Sequence, residues 1–317
     1  MPADLDLLEE VLREVSSENL RDALREMVTE PGFVGVIGEQ EVRQLASLGG
    51  LSLEAVLLVL AEVAKVYAQP QISRFHVGAI AQGSSTNAFY LGANMEYAGA
   101  ALSFTLHAEQ AATANAWQHG EAGLVVLACN EAPCGYCRQF LYEITTAPKL
   151  VLLLRGKKPQ LLTKFLPEPF GPKDLEVEPG EELMSPQDHG LELEVASQDA
   201  AVLAALSAAN GSYAPLPYTK PSLCYAGVAV ETDSGAIFTG RLAENAAFNP
   251  SLSPLEAAMS MWNFGSAPGD SPQRVVLVQA QGAIGDQVSA TEAVVASLQS
   301  SGPVAFEQHV AVPPENG

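Results

Sequence analysis

The chain has 317 residues, 48% of them hydrophobic and 17% charged, enough to bury a sizeable core in one large domain or two of ordinary size. Its 16 Lys and Arg stand against 37 Asp and Glu, a formal charge of -21 that repels polyanions, argues against nucleic acid as a ligand and suits a small neutral substrate. Four cysteines are too few for a disulfide framework at this length and fit a reducing compartment.

The opening "MPADLDLLEE" is acidic where a secretory signal needs a basic start, and the apolar run "AVLLVLA" is too short to span a bilayer. A cytoplasmic protein without a membrane partner is expected. Up to about Gly50, apolar residues recur every three or four positions in "LDLLEEVLREV" and "LRDALREMV", which predicts a small helical segment over 1–50. From Leu51 a strongly apolar helix leads into "RFHVGAIA" and "AFYLGAN", two strand-like runs joined by the turn-rich "QGSSTN"; a β-hairpin is the simplest reading, with His76 on its first strand.

An alanine-rich helix opening with His107 and Glu109 follows, then the strand "GLVVLAC", a helix carrying Cys134 and Cys137, and the strand "KLVLLLR". Alternating β and α elements predict an α/β sandwich whose helix N-termini line one sheet edge, where ligands usually sit. This first domain is expected over 51–171. The text from Pro167 to Gly190 is rich in Pro, Gly and acid, and predicts a linker over 172–190. In the second domain, 191–317, "YAGVAV", "GAIFTG" and "AENAAFNPSLSPLEAAMSMW" echo the first in order and type, which suggests an internal duplication. The echo has Ser253, Pro254 and Leu255 where the first copy has His107, Ala108 and Glu109, and no Cys-x-x-Cys follows.

Cys-x-x-Cys alone is equally at home in a redox site or half of a zinc ribbon, and no second pair completes a ribbon here. Taken with His107, however, the pair supplies the three ligands of a catalytic zinc that keeps one position open. Pro133 suits the first helical position, and the free amides and dipole of a helix start favour thiolates at Cys134 and Cys137. Glu109 serves better as an acid/base group than as a fourth ligand, which would close the site. His119 is expected to cap a helix, His189 to lie in the linker and His309 in the tail, while Cys129 and Cys224 suit buried positions on strands.

His107-Ala108-Glu109 and Pro133-Cys134-Gly135-Tyr136-Cys137 match the signature of the zinc nucleoside deaminases. With "GANMEY", "HAEQ", "PCGYCRQF", "FGPKDL", "QDHG" and "ENAAFNP", nearly the whole chain from about Leu51 resembles the long, two-domain bacterial cytidine deaminases. The resemblance implies a three-layer α/β/α sandwich, duplicated, and hydrolytic deamination of cytidine and 2'-deoxycytidine. It makes His107, Cys134 and Cys137 ligands to one Zn²⁺ per chain and Glu109 the proton shuttle. It assigns Asn94, Met95 and Glu96 to the substrate, with Asn94 and Glu96 on the ribose hydroxyls, and packs Phe75 on the pyrimidine. It implies a homodimer in which Phe248 and Asn249 approach the partner's pocket. The alternatives are a deaminase of the nucleotide dCMP, a non-catalytic zinc scaffold and a polynucleotide editor, the last disfavoured by charge.

Overall fold

The computed structural model describes residues 3–215, 224–299 and 302–313. The chain begins with helices α1 (Leu5–Arg13) and α2 (Glu18–Thr29), each started by a side-chain cap: Asp4 accepts from the Leu7 amide and Ser17 from the Leu20 amide. A two-residue strand, β1 (Val36–Ile37), precedes α3 (Glu39–Gly49) and α4 (Leu53–Ala64), the latter capped by Ser52. Next come β2 (Gly78–Gly83), β3 (Phe89–Ala93), α5 (Ala108–Gln118), β4 (Leu124–Cys129), α6 (Gly135–Leu141), β5 (Val151–Leu154), β6 (Gln160–Leu161) and the short α7 (Leu162–Phe165). The second half holds β7 (Glu192–Leu193), α8 (Ala200–Asn210), β8 (Ala226–Thr232), β9 (Ile237–Arg241), α9 (Pro254–Gly265), β10 (Pro272–Ala280), α10 (Val288–Leu298) and β11 (Ala305–Val312).

The first sheet has the order β1-β3-β2-β4-β5-β6, with only β4 and β5 parallel. Ala79 and Ala81 point to one face and Ile80 to the other, as strand geometry demands. On the Ile80 side, Phe89, Leu91 and Leu153 pack against α4 and the N-terminal helices, through Leu8, Leu12, Leu24, Val56 and Leu60. On the other side lies α5, buried at every position from Ala108 to Trp117 because the second domain covers its back. The predicted N-terminal segment is therefore an outer layer of the first domain, and it adds an edge strand that its helical periodicity conceals: Val36 pairs with Tyr90 and Ile37 with Phe89.

The second sheet has the order β7-β11-β10-β8-β9, and again one pair, β10 with β11, is parallel. The run β9-β8-β10-β11 repeats β3-β2-β4-β5, so the duplication is in the fold. Four glycines mark it. A Cβ on Gly78 would lie 2.2 Å from the Ala61 carbonyl oxygen, and one on Gly92 would lie 2.2 Å from the Ala108 carbonyl oxygen and the Ala112 nitrogen. Gly227 meets α8 and Gly240 meets α9 in the same way. Each glycine lets helix backbone rest on the sheet.

The domains share one core, and polar ties cross it. The Arg241 guanidinium sits 4.6 Å from the centre of the Trp117 ring and bonds Gln118, whose own amide donates to the Thr239 carbonyl at 2.8 Å. Segment 172–190 buries Leu175, Leu183 and Met184, and Leu183 exchanges backbone bonds with Glu143 and Thr145 of the first domain. Two histidines differ from expectation. His76 precedes β2, which starts at Gly78 where the backbone first pairs with Ala93, and His309 lies in β11 opposite Val278. No single helix among the described residues is long and apolar enough to cross a membrane.

Candidate metal centre

Two helix starts converge at the edge of the first sheet. His107 is the N-cap of α5, extended at φ -85° and ψ 152°, and Cys134 is the N-cap of α6, extended at φ -69° and ψ 172°. Cys137 stands at the third position of α6 and is fully buried, whereas Cys134 is exposed. This corrects the expected place of Pro133, which lies before the cap. Its carbonyl accepts from the Arg138 side chain at 2.8 Å, and the first helical bond instead runs from the Arg138 amide to the Cys134 carbonyl.

The three donor atoms form a small triangle. The sulfurs of Cys134 and Cys137 are 3.6 Å apart, and His107 Nδ1 lies 3.3 Å from Cys137 Sγ and 3.8 Å from Cys134 Sγ. Tetrahedral zinc with bonds of about 2.3 Å to sulfur and about 2.0 Å to nitrogen separates its ligand atoms by roughly 3.5–3.8 Å. The residues thus fit the metal in donor type and in spacing. All four cysteines are free thiols, and no other His/Cys/Asp/Glu group among the described residues forms such a cluster. Within the pair, the hydrogen bond from Cys137 and the amides of the helix start pull Cys134 down to about 5, while sharing that bond and burial push Cys137 up. An ion would draw both into the thiolate form.

Glu109 occupies the first turn of α5, 4% exposed, with its carboxyl close to the Cys137 thiol. Burial raises it above the usual carboxylate range, opposed in part by His107. Asn94, Met95 and Glu96 run directly beside the start of α5. Met95 and Leu106 exchange backbone bonds at 2.9 Å. The Asn94 side chain donates to the Phe75 carbonyl at 3.0 Å and accepts from the Val77 amide at 2.8 Å. Glu96 accepts from the amides of Ile72 and Ser73, both at 2.8 Å, and from the Ser73 hydroxyl; burial opposes its ionisation, but these donors hold it below the ordinary range. The two residues matched to ribose contacts thus also shape the loop that presents Phe75, which is 55% exposed.

Phe248 and Asn249 lie on an exposed loop, Phe248 at a left-handed φ of 62° with 62% of its surface open. Asn245 and Ala246 of that loop bond to Gln139 and Glu143 of their own chain's first domain. In the second copy, Ser253 and Glu256 form a capping box at the start of α9, so the place of the metal ligand is taken by an ordinary helix cap. A cavity of about 230 Å³ between the domains touches the back of Met95 and Glu96 but not the ligand triangle. Three features of the site escaped the motif reading: Tyr136 stacked on His107, Gln110 bonded to the His107 amide, and Asn130 accepting from the Gly78 amide. Gln110 had a local signal, a glutamine at the third position after a helix cap.

Two models with the same description, cytidine and deoxycytidylate deaminase zinc-binding region, match residues 52–154 and 162–292. Cytidine deaminase of Serratia proteamaculans (strain 568) is 41% identical over 279 residues, 88% of this chain and 92% of that one. Cytidine deaminase of Yersinia pestis (strain Pestoides F) is 41% identical over 283 residues, 89% of this chain and 93% of that one. Among solved structures, cytidine deaminase from Mycobacterium tuberculosis is 32% identical, covers 37% of this chain and 96% of that one, and aligns with a TM-score of 0.34. The chain belongs to the zinc-binding cytidine and deoxycytidylate deaminase family.

Proposed function

We propose that this protein hydrolyses cytidine and 2'-deoxycytidine to uridine and 2'-deoxyuridine, releasing ammonia, with one zinc per chain. The observation that carries the reading is the triangle of His107 Nδ1 and two cysteine sulfurs with the buried Glu109 carboxyl beside it. His107, Cys134 and Cys137 would hold the zinc, which when bound would supply the general chemistry of nucleobase deaminases by lowering the pKa of a water toward about 7.

Glu109 does the proton work. Its raised affinity for a proton suits a group that takes one proton from the attacking water, passes it to N3 of the cytosine, and then carries the proton left on the added hydroxyl to the departing amino group. Water forms a bond to C4, the C4–N4 bond breaks, and the products are uridine and ammonia. Phe75 packs on the pyrimidine, Asn94 and Glu96 orient the ribose, and Met95 joins them beside the start of α5. Glu96, held ionised by Ser73 and Ile72, disfavours a phosphorylated substrate.

The protein works as a cytoplasmic homodimer. Phe248 and Asn249 of one protomer close the partner's site, supported by the exposure of Phe248 on a loop tied through the Asn245 side chain and the Ala246 amide. In this reading the segment 1–50, the catalytic domain 51–171, the linker 172–190 and the non-catalytic domain 191–317 are the units of the chain. An ultraviolet assay of cytidine loss before and after chelation, repeated with deoxycytidine and dCMP, tests the assignment. Turnover of both nucleosides is expected to vanish with the metal and return on adding zinc; strong preference for dCMP overturns the substrate. Sedimentation is expected to give a dimer, and a fully active monomer refutes the shared site.

A further inference from the structure

A metal-ligating imidazole usually donates its second ring N–H to a carboxylate or carbonyl, which sets the plane of the ring. In His107 the Nδ1 atom faces the two sulfurs, and Nε2 has no hydrogen-bond partner among the described residues. Its plane is held by other means. The Tyr136 ring lies 5.2 Å from it, centre to centre, with the planes 23° apart. The Tyr136 hydroxyl donates to the Ser251 carbonyl in the second domain at 3.4 Å.

The backbone end of the same ligand is tied through Gln110, whose side chain also meets the Tyr136 hydroxyl. The His107 amide donates to Gln110 Oε1 at 3.3 Å, and Gln110 Nε2 donates to the Pro250 carbonyl at 3.3 Å. Gln110 is 1% exposed, so this pairing has little water to compete with it. Ring and backbone of His107 therefore lean on consecutive carbonyls, Pro250 and Ser251. Ser251 is itself anchored: its Oγ accepts from the Asn245 amide at 2.9 Å, the Asn245 side chain donates to the Gln139 carbonyl and the Ala246 amide donates to the Glu143 carboxylate. Tyr136, Gln139 and Glu143 are three and four positions apart, one continuous side of the α6 region.

We propose that Tyr136 and Gln110 are positioning residues for the metal centre, holding His107 in its ligating orientation against a Pro250–Ser251 strut supplied by the second domain. The inference deepens the zinc reading above and rests on it. It gives the domain without ligands a task inside its own chain: it braces the one ligand that comes from α5. The stack fixes the ring plane, and the two carbonyls fix where that plane stands relative to the cysteines on α6.

The test uses the full-length protein and the variants Y136L, Y136F and Q110A, with Q139A as a control that removes the Gln139 side-chain bonds to the Phe170 carbonyl and Asn245 Oδ1 at the same domain boundary, keeps the Gln139 main-chain carbonyl that anchors the strut, and does not touch His107. Zinc release to a chelator is timed, the absorption spectrum of the cobalt-substituted protein is recorded, and kcat is separated from KM. Loss of such outer contacts typically weakens metal binding about 10–100-fold. Y136L and Q110A are expected to release zinc at least ~10-fold faster, with shifted cobalt bands and a fall confined to kcat. Y136F keeps the stack but loses the hydroxyl bond to the Ser251 carbonyl, and is expected to fall between the parent and Y136L in release rate and cobalt spectrum. Q139A is expected to lower the melting temperature and leave the cobalt spectrum unchanged. Wild-type release rates and spectra in both Y136L and Q110A overturn the proposal, as does a Q139A spectrum displaced as far as that of Y136L. A parent protein that retains no metal sinks the zinc reading instead.

Discussion

Glu109 is the residue whose replacement separates chemistry from architecture. Its carboxyl is buried beside Cys137 and lies outside the ligand triangle, so Glu109→Gln keeps the shape and removes the proton carrier. Turnover is expected to fall by at least about 10²–10⁴-fold, while zinc content by elemental analysis and the melting temperature stay near those of the parent. Cys137→Ser is expected to do the reverse, losing zinc and stability together, because a buried hydroxyl is a far poorer ligand than a thiolate. These four residues were legible in the text because ligand chemistry tolerates few residue types at few spacings. The second roles of Asn94 and Glu96 were not, since their partners are amides and carbonyls of residues 72–77, and backbone groups leave no mark on a sequence. Tyr136 is hidden differently: it stands within "PCGYC", but an aromatic between two cysteines has no chemistry of its own until the His107 ring lies against it.

At the level of elements, α5 is seated by Gly92. Gly92→Ala would drive a methyl into the backbone of Ala108 and Ala112, lifting the helix start that carries His107 and Glu109. Overpacking of this kind costs about 1–3 kcal/mol, and here the displaced atoms include the metal ligand. Gly92→Ala is expected to lose both stability and zinc retention, whereas Gly227→Ala, which disturbs α8 against β8 in the other domain, loses stability alone. Thermal melts paired with metal analysis decide this, and zinc retained by Gly92→Ala would refute the seating role. The α/β alternation could be read from the apolar pattern of long segments, and the duplication from the repeated order and type of those segments. Two-residue strands carry none: β1, β6 and β7 exist only because an edge was there to pair with. The chain closes its two sheets with edges drawn from different places, β6 following β5 and β7 preceding α8, which no internal echo could have announced.

Across the whole molecule, three buried carboxyls respond to pH together. Burial pushes Glu143, Glu244 and Glu256 up to about 7, from an ordinary value of 4.5. A group that holds its proton more tightly folded than unfolded imposes no cost below the unfolded value. Its cost grows as pH rises from about 4.5 to about 7, then levels off, on the order of 1–3 kcal/mol each at neutrality. The melting temperature is therefore expected to decline between pH 5 and 7.5, and Glu256→Gln, which removes one titrating group, to flatten that slope; a stability that climbs over the same interval contradicts the assignment. Glu143 also receives the Tyr213 hydroxyl and the Ala246 amide across the domain boundary, so part of this dependence belongs to the contact between halves. The capping box of α9 has a consequence for engineering. Writing a histidine at Ser253 would delete a working helix cap and leave Glu256 only the main-chain amide of its two donors at 253, and a cysteine pair opposite would meet α10, whose leading residue Gln287 has helical backbone angles in place of the outstretched ones of Cys134. Building a metal centre into the second half would require rebuilding both helix entrances, which places the obstacle to a twin-centred protein in main-chain shape as much as in missing donors.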